Sequence, residues 1–239
     1  MTTETGAAIS AAVLKDAMLA AGRCINRQRD TLSELDAAAG DGDLGATLGS
    51  GFVQVEASLA ELSADADVGG MIKAAGMTLA RKAPSTFGAL LGGAFMRVGA
   101  EFQDLQVLSG EDVARLMASL LAAVSERGGA VPGQRTVVDA LDGGAQAANG
   151  AVARGAGAAE TLLAAARGAE AAAELTAEMK PEFGRAAWVA ERAYGHRDAG
   201  AVAWAMYLSA LADAVAAGMT SGEAGNRRAV GGHANHEER

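Results

Sequence analysis

Apolar residues recur at three- and four-residue spacing along almost the whole chain, beginning with Ile9, Val13, Leu14, Ala17, Met18 and Ala21. That spacing predicts one amphipathic helix from about Gly6 to about Asp30. Leu32 and Leu35 carry a second segment into Gly40-Asp41-Gly42-Asp43-Leu44-Gly45, where closely spaced glycines interrupt helix with a tight loop. Phe52, Val55, Leu59 and Leu62 then mark a helix ending near Ser63, and further helical patterns cover Val68 to Lys82, Phe87 to Phe102, Glu111 to Arg127, Thr136 to Gly155, Ala158 to Met179 and Ala199 to Ala217. Near eight long helices and no sheet are expected. The buried stripe should include Ile9, Val13, Phe52, Val55, Leu116, Leu120 and Leu208, with Trp188 and Trp204 in or near the same core. The breaks at Ala83-Pro84-Ser85, Gly128 to Gly133 and Lys180 to Gly184 are too short for domain linkers. One helical domain over residues 1–218 is predicted, followed by a flexible tail over 219–239 whose His233 and His236 read as solvated residues.

Composition sharpens this picture. Half of the 239 residues are hydrophobic, yet aromatics make up only 4%. Alanine supplies much of the rest, which favours closely packed helices over strands. The formal net charge is −9, and no block of Lys or Arg stands out, so the footprint of a nucleic-acid binder is missing. An anionic ligand would need local help from metal ions or helix N-termini. Cys24 stands alone, which excludes an internal disulfide and suits a cytoplasmic protein; it reads as a small packed residue. Glu4, Lys15 and Asp16 interrupt the first apolar stretch, so neither a leader peptide nor a membrane span is expected there.

Candidate chemistry concentrates at Leu35 to Gly45. Asp36, Asp41 and Asp43 fall in one short stretch with flanking glycines that let the backbone fold their oxygens inward. Such a group repels itself unless a cation neutralises it, and all-oxygen ligation selects a hard ion such as Mg²⁺ joined to phosphate. An ordinary solvated turn between helices explains the same spacing. An EF-hand fits less well, because the ligand series and terminal Glu are missing.

Four ordered motifs resemble the L (ADP/ATP-binding) subunit of dihydroxyacetone kinases. Leu35-Asp36 with Gly40-Asp41-Gly42-Asp43 and Gly45 is similar to that family's Leu-Asp-x-x-x-Gly-Asp-Gly-Asp-His-Gly signature. Gly76-Met77-Thr78-Leu79, with Gly88-Ala89-Leu90 and Gly92, resembles its glycine- and serine-rich phosphate contact. Pro132-Gly133-Gln134-Arg135-Thr136 with Asp139 resembles Pro-Gly-Asp-Lys-Thr-Met-x-Asp, and Gly184-Arg185-Ala186 through Glu191-Arg192 to Ala201 resembles the last element. The resemblance implies an all-α, eight-helix antiparallel barrel with a nucleotide site at one end. It implies Asp36, Asp41 and Asp43 as ligands of two Mg²⁺ ions, and ADP or ATP at Leu44, Gly45, Ala46, Thr47, Thr86, Phe87, Gly128, Val137, Arg185, Asp198, Ala199 and Gly200. Arg185, permanently cationic, would stabilise the transferring charge. The implied partners are a separate K-type subunit that holds the triose, and a phosphotransferase-system protein as an alternative phosphoryl donor.

The chain departs from the family pattern where phosphate contacts are expected. Leu44 stands in place of a histidine, Thr47 of an asparagine, Val137 of a methionine and Ala199 of a proline, while Pro84-Ser85-Thr86-Phe87-Gly88 replaces a Gly-Gly-Ala/Thr-Ser-Gly run. Three readings stay open: an ordinary L subunit in which Ser85 or Thr86 takes over the contact, a subunit serving another small keto- or hydroxy-sugar, or a regulatory module with weakened phosphotransfer.

Overall fold

The computed structural model describes residues 8–183 and 193–231, with side chains described through Thr220. Among the described residues the helices are α1 (Ala11–Arg27), α2 (Arg29–Ala39), α3 (Leu44–Ala60), α4 (Val68–Lys82), α5 (Thr86–Glu101), α6 (Gly110–Gly128), α7 (Val137–Ala153), α8 (Ala158–Leu175) and α9 (Ala199–Gly231), with a 3₁₀ turn at Thr176–Glu178. Side-chain caps set several starts: Ser10, Asp67 and Ser85 accept from the backbone N–H three residues on, and Ser109 and Thr136 form capping boxes with Asp112 and Asp139.

Helix contacts close a ring. Going round it, α1 packs on α3, then α4, α5, α6, α7, α8 and α9 follow, and α9 returns to α1. The expected eight-helix, all-α barrel is therefore present, with the short α2 as an additional helix beside α3. The single helix predicted from Gly6 to Asp30 divides at Gln28, whose N–H bonds back to the carbonyls of Cys24 and Ile25. The chain turns there so that Leu32 on α2 can be fully buried. The expectation of no sheet needs one correction. Ile9–Ser10 and Val107–Leu108 form a two-residue antiparallel ladder, because the segment before α1 and the connection between α5 and α6 meet with buried Ile9 and Leu108 and their backbone groups need partners.

Large side chains gather in the centre of the ring. Phe52 of α3 stacks on Tyr207 of α9 at 5.2 Å, Trp204 stacks on Tyr207 at 5.9 Å, and Phe95 of α5 meets Trp204 edge-on at 6.4 Å. Of the predicted stripe, Ile9, Phe52, Val55, Leu116, Leu120 and Leu208 are buried, and Val13 is partly buried against them. Trp188 lies outside the described residues. Residues 199–220 are long and apolar enough to cross a membrane by length and composition, but half of that stretch is buried inside the fold.

Small residues let the helices approach. A Cβ on Gly76 of α4 would lie 2.7 Å from the Gly92 carbonyl oxygen of α5, and one on Gly143 of α7 would lie 2.5 Å from the Gly168 carbonyl oxygen of α8. No side chain fits between these backbones. Replacing Gly76 with Val is expected to cost about 1–3 kcal/mol through overpacking against α5. Gly150 on α7 faces only the tip of Arg154 at 3.4 Å, so Gly150→Ala should be neutral or stabilising by up to about 1 kcal/mol. Denaturant titration of both variants checks this, and equal destabilisation would contradict it.

Candidate functional site

At one end of the ring the N-termini of α3, α5, α7 and α9 and the C-termini of α2, α4 and α6 surround a cavity of about 690 Å³. The carboxylate loop forms one wall. Asp36 sits on the last turns of α2, and its Oδ2 accepts from Leu44 N at 3.3 Å, tying the end of α2 to the start of α3. Gly40 follows so closely that a Cβ there would lie 2.4 Å from Asp36 Oδ1. Gly42 takes φ +78°, a left-handed turn that L side chains rarely adopt. Asp43 occupies the N-cap position of α3 but makes no capping bond. One carboxylate oxygen from each of Asp36, Asp41 and Asp43 lies within 4.8 Å of the others.

Three like charges so close favour a bound cation, and an oxygen-only donor set fits a hard divalent ion such as Mg²⁺. Asp36 is half-buried while Asp41 and Asp43 are exposed, so the cluster opens towards the cavity mouth. Leu44, Phe87, Leu90, Val124 and Val137 give the cavity an apolar side. Phe87 comes from the start of α5 and reaches Gly200 at the start of α9, where a Cβ would lie 3.1 Å from its ring.

The remaining wall is the 130–138 segment. Thr136 caps α7, and buried Asp139 accepts from Thr136 N at 2.7 Å and from Gly133 N at 2.5 Å. Arg135, between them, is 1% exposed and has φ +59°, an uncommon backbone conformation for a residue with a side chain. Its Nη2 donates to the carbonyls of Ala193 at 3.0 Å and His196 at 2.7 Å. Its Nε and Nη1 have no hydrogen-bond partner. On the far side of these carbonyls, Asp198 N donates to Thr176 Oγ1 at 2.8 Å, and Asp198 Oδ1 accepts from Ala201 N at 2.7 Å, starting α9. Asp198 keeps part of its surface open to the cavity, yet burial pushes its carboxyl up to about 6. Its Ala201 hydrogen bond and Arg135 pull it down, and Asp139 and Asp36 push it up.

Asp36, Asp41, Asp43, Leu44, Thr86, Phe87, Gly128, Val137, Asp198, Ala199 and Gly200 all line this cavity. Gly45, Ala46 and Thr47 do not. Gly45 is buried against α2, where a Cβ would lie 1.8 Å from the Arg29 carbonyl oxygen, Ala46 is exposed, and Thr47 is half-buried on the next turn of α3. Arg185 lies outside the described residues. Arg135 and Leu90, which stand in the motifs without being singled out as ligand contacts, and Phe183 also line the cavity. For Arg135 a signal existed: a lone basic residue directly before a Thr-x-x-Asp capping box stands at a helix N-terminus.

Comparison with known proteins follows the same outline. Residues 38–213 match the DAK2 domain. The chain belongs to the DAK2 domain family. It is 32% identical over 191 residues to the ADP-binding subunit DhaL of PEP-dependent dihydroxyacetone kinase 2 from Listeria innocua, covering 80% of this chain and 88% of that one. It is 33% identical over 187 residues to the D-erythrulose kinase of Mycolicibacterium smegmatis, covering 78% of this chain but 32% of that enzyme. The crystal structure of the native dihydroxyacetone kinase of C. freundii matches with a TM-score of 0.67 and 25% identity, covering 89% of this chain and 36% of that chain. The chain spans about a third of the length of those two enzymes.

The raised Asp198 carboxyl gives a pH prediction. Its folded value near 6 exceeds the ordinary 3.8, so the folded state binds the proton more tightly than the unfolded chain. The resulting stabilisation is complete below about pH 4 and is lost as pH rises through about 6. Asp198→Asn should remove this slope while keeping an oxygen to cap α9. The stability of the parent relative to the variant, measured by denaturation at successive pH values, should fall by up to about 3 kcal/mol between pH 4 and pH 7. A difference that stays flat or rises contradicts the assignment.

Proposed function

We propose that this chain is the nucleotide- and Mg²⁺-binding subunit of a kinase for dihydroxyacetone or a related small keto-sugar. The observation that carries this reading is the clustering of Asp36, Asp41 and Asp43 at the mouth of a cavity that is met by four helix N-termini. Asp36, Asp41 and Asp43 would hold two Mg²⁺ ions, which when bound neutralise phosphate oxygens and polarise the transferring group. The carboxylates thus serve as ligands and not as proton acceptors. Backbone N–H groups at the starts of α3, α5, α7 and α9 suit an anion from the other side. Leu44, Phe87, Leu90, Val124 and Val137 suit a nucleobase and keep water from it. Phosphoryl transfer asks chiefly for such positioning and charge neutralisation.

The similarity to an ADP-binding subunit across most of both chains supports ADP or ATP as the ligand. The erythrulose kinase resemblance supports a small keto-sugar as acceptor. The acceptor would sit on a K-type partner subunit in the cytoplasm, with either ATP as the phosphoryl donor or a bound ADP that a phosphotransferase-system protein recharges. Arg185 would stabilise the transferring charge. We expect neither nucleic acid nor membrane among its partners.

A nucleotide-binding regulatory module with weakened transfer is the second reading, favoured by buried Leu44 and half-buried Phe87 at positions where a phosphate donor would be useful. Neither side chain can hydrogen-bond a phosphate.

Two outcomes test these readings. Replacing Asp36, Asp41 or Asp43 singly with Ala should weaken Mg-ADP binding by at least about 10-fold, corresponding to roughly 1.4 kcal/mol of a charge-assisted contact; calorimetry showing unchanged affinity in all three would refute the metal site. The pair Leu44→His and Phe87→Ser should raise ADP affinity about 5- to 100-fold if each restores a phosphate contact. Reduced affinity in both would mean that the cavity is built around these apolar side chains.

A further inference from the structure

Arg135 is the only basic side chain among the described residues lining the cavity. Burial of a guanidinium normally demands a carboxylate partner or a full set of acceptors, because an uncompensated internal charge is costly. Arg135 has neither. It enters none of the described ion pairs, only Nη2 is satisfied, by the carbonyls of Ala193 and His196, and Nε and Nη1 are left without acceptors. Asp198 is near enough to influence it electrostatically but does not pair with it. The backbone at Arg135 is held at φ +59°, in a region that costs a non-glycine residue of order 1 kcal/mol. Strain, burial and unsatisfied donors therefore coincide at one residue in the cavity wall.

We propose that Arg135 is a phosphate-binding residue, whose unsatisfied guanidinium is completed by an anionic oxygen of the ligand's diphosphate; this rests on the nucleotide reading above. The two carbonyl bonds of Nη2 fix the side chain in advance, so little rotamer entropy is lost on binding. The metal cluster and Arg135 then stand on different walls of the same cavity, one reached through cations and the other directly. Arginine also gives this wall a charge that does not depend on pH.

Calorimetric titration of the full chain with ADP, inorganic pyrophosphate and adenosine, in saturating Mg²⁺, separates phosphate binding from a structural role. In Arg135→Met the affinity for ADP and pyrophosphate is expected to fall at least about 10-fold, with adenosine binding unchanged. Arg135→Lys, which keeps the charge but not the fixed geometry, is expected to lose less, and it serves as the readout if the Met variant does not fold. Equal loss of adenosine and ADP affinity would overturn the proposal, since Arg135 would then only brace the Ala193–Asp198 segment. So would unchanged pyrophosphate and ADP binding, which leaves the nucleotide reading standing. Binding of pyrophosphate but not ADP by the unaltered chain would remove the nucleotide and leave the Arg135 comparison to be decided on pyrophosphate alone; binding of neither would overturn both.

Discussion

Where α4 crosses α5 and α7 crosses α8, glycine backbones face each other with no room for a methyl group. Everything else in the ring depends on this approach. With aromatics so scarce, the interior offers little bulk to fill, and a wide barrel would leave cavities that cost stability. Gly76, Gly92, Gly143 and Gly168 draw the helix pairs together, and the few large rings of Phe52, Phe95, Trp204 and Tyr207 occupy the space that remains. Alternating helix directions then bring loops and helix starts to one end, where a cavity forms because the connections, not the helices, define its walls.

Charge organises that cavity. Three carboxylates repel one another at its mouth, a buried guanidinium lacks its acceptors deeper in the wall, and a carboxyl at the start of α9 is pushed up to about 6. On the proposed function, cations would offset the mutual repulsion of the carboxylates and phosphate oxygens would supply the acceptors that Arg135 lacks. A ligand bound in this way would stabilise the fold in proportion to its affinity.

Much of this was legible in the sequence. The boundaries of α4 follow directly from Asp67 as a cap and Pro84 beyond the end, and the carboxylate loop is readable from glycines around three acids. The break at Gln28 was not, since Arg27 through Asp30 interrupt no helical pattern and only the burial of Leu32 demands a turn. The Ile9–Leu108 ladder was also hidden, because two-residue pairing across nearly a hundred residues leaves no periodic trace. Among the candidate site residues, those at the starts of α5, α7 and α9 line the cavity, whereas Gly45, Ala46 and Thr47 turn into α3 after Leu44 and do not. Arg135 was present in a motif without a role, because its burial depends on carbonyls some sixty residues away.

On the proposed function, the cavity takes a phosphate chain through cations held by the acidic loop. Calorimetric titration of the unaltered chain with ADP, once with Mg²⁺ and once with EDTA, tests it most directly. Binding is expected with Mg²⁺, and a loss of at least about 100-fold without it, since bare diphosphate would meet three carboxylates. Equal affinity in the two titrations would contradict it.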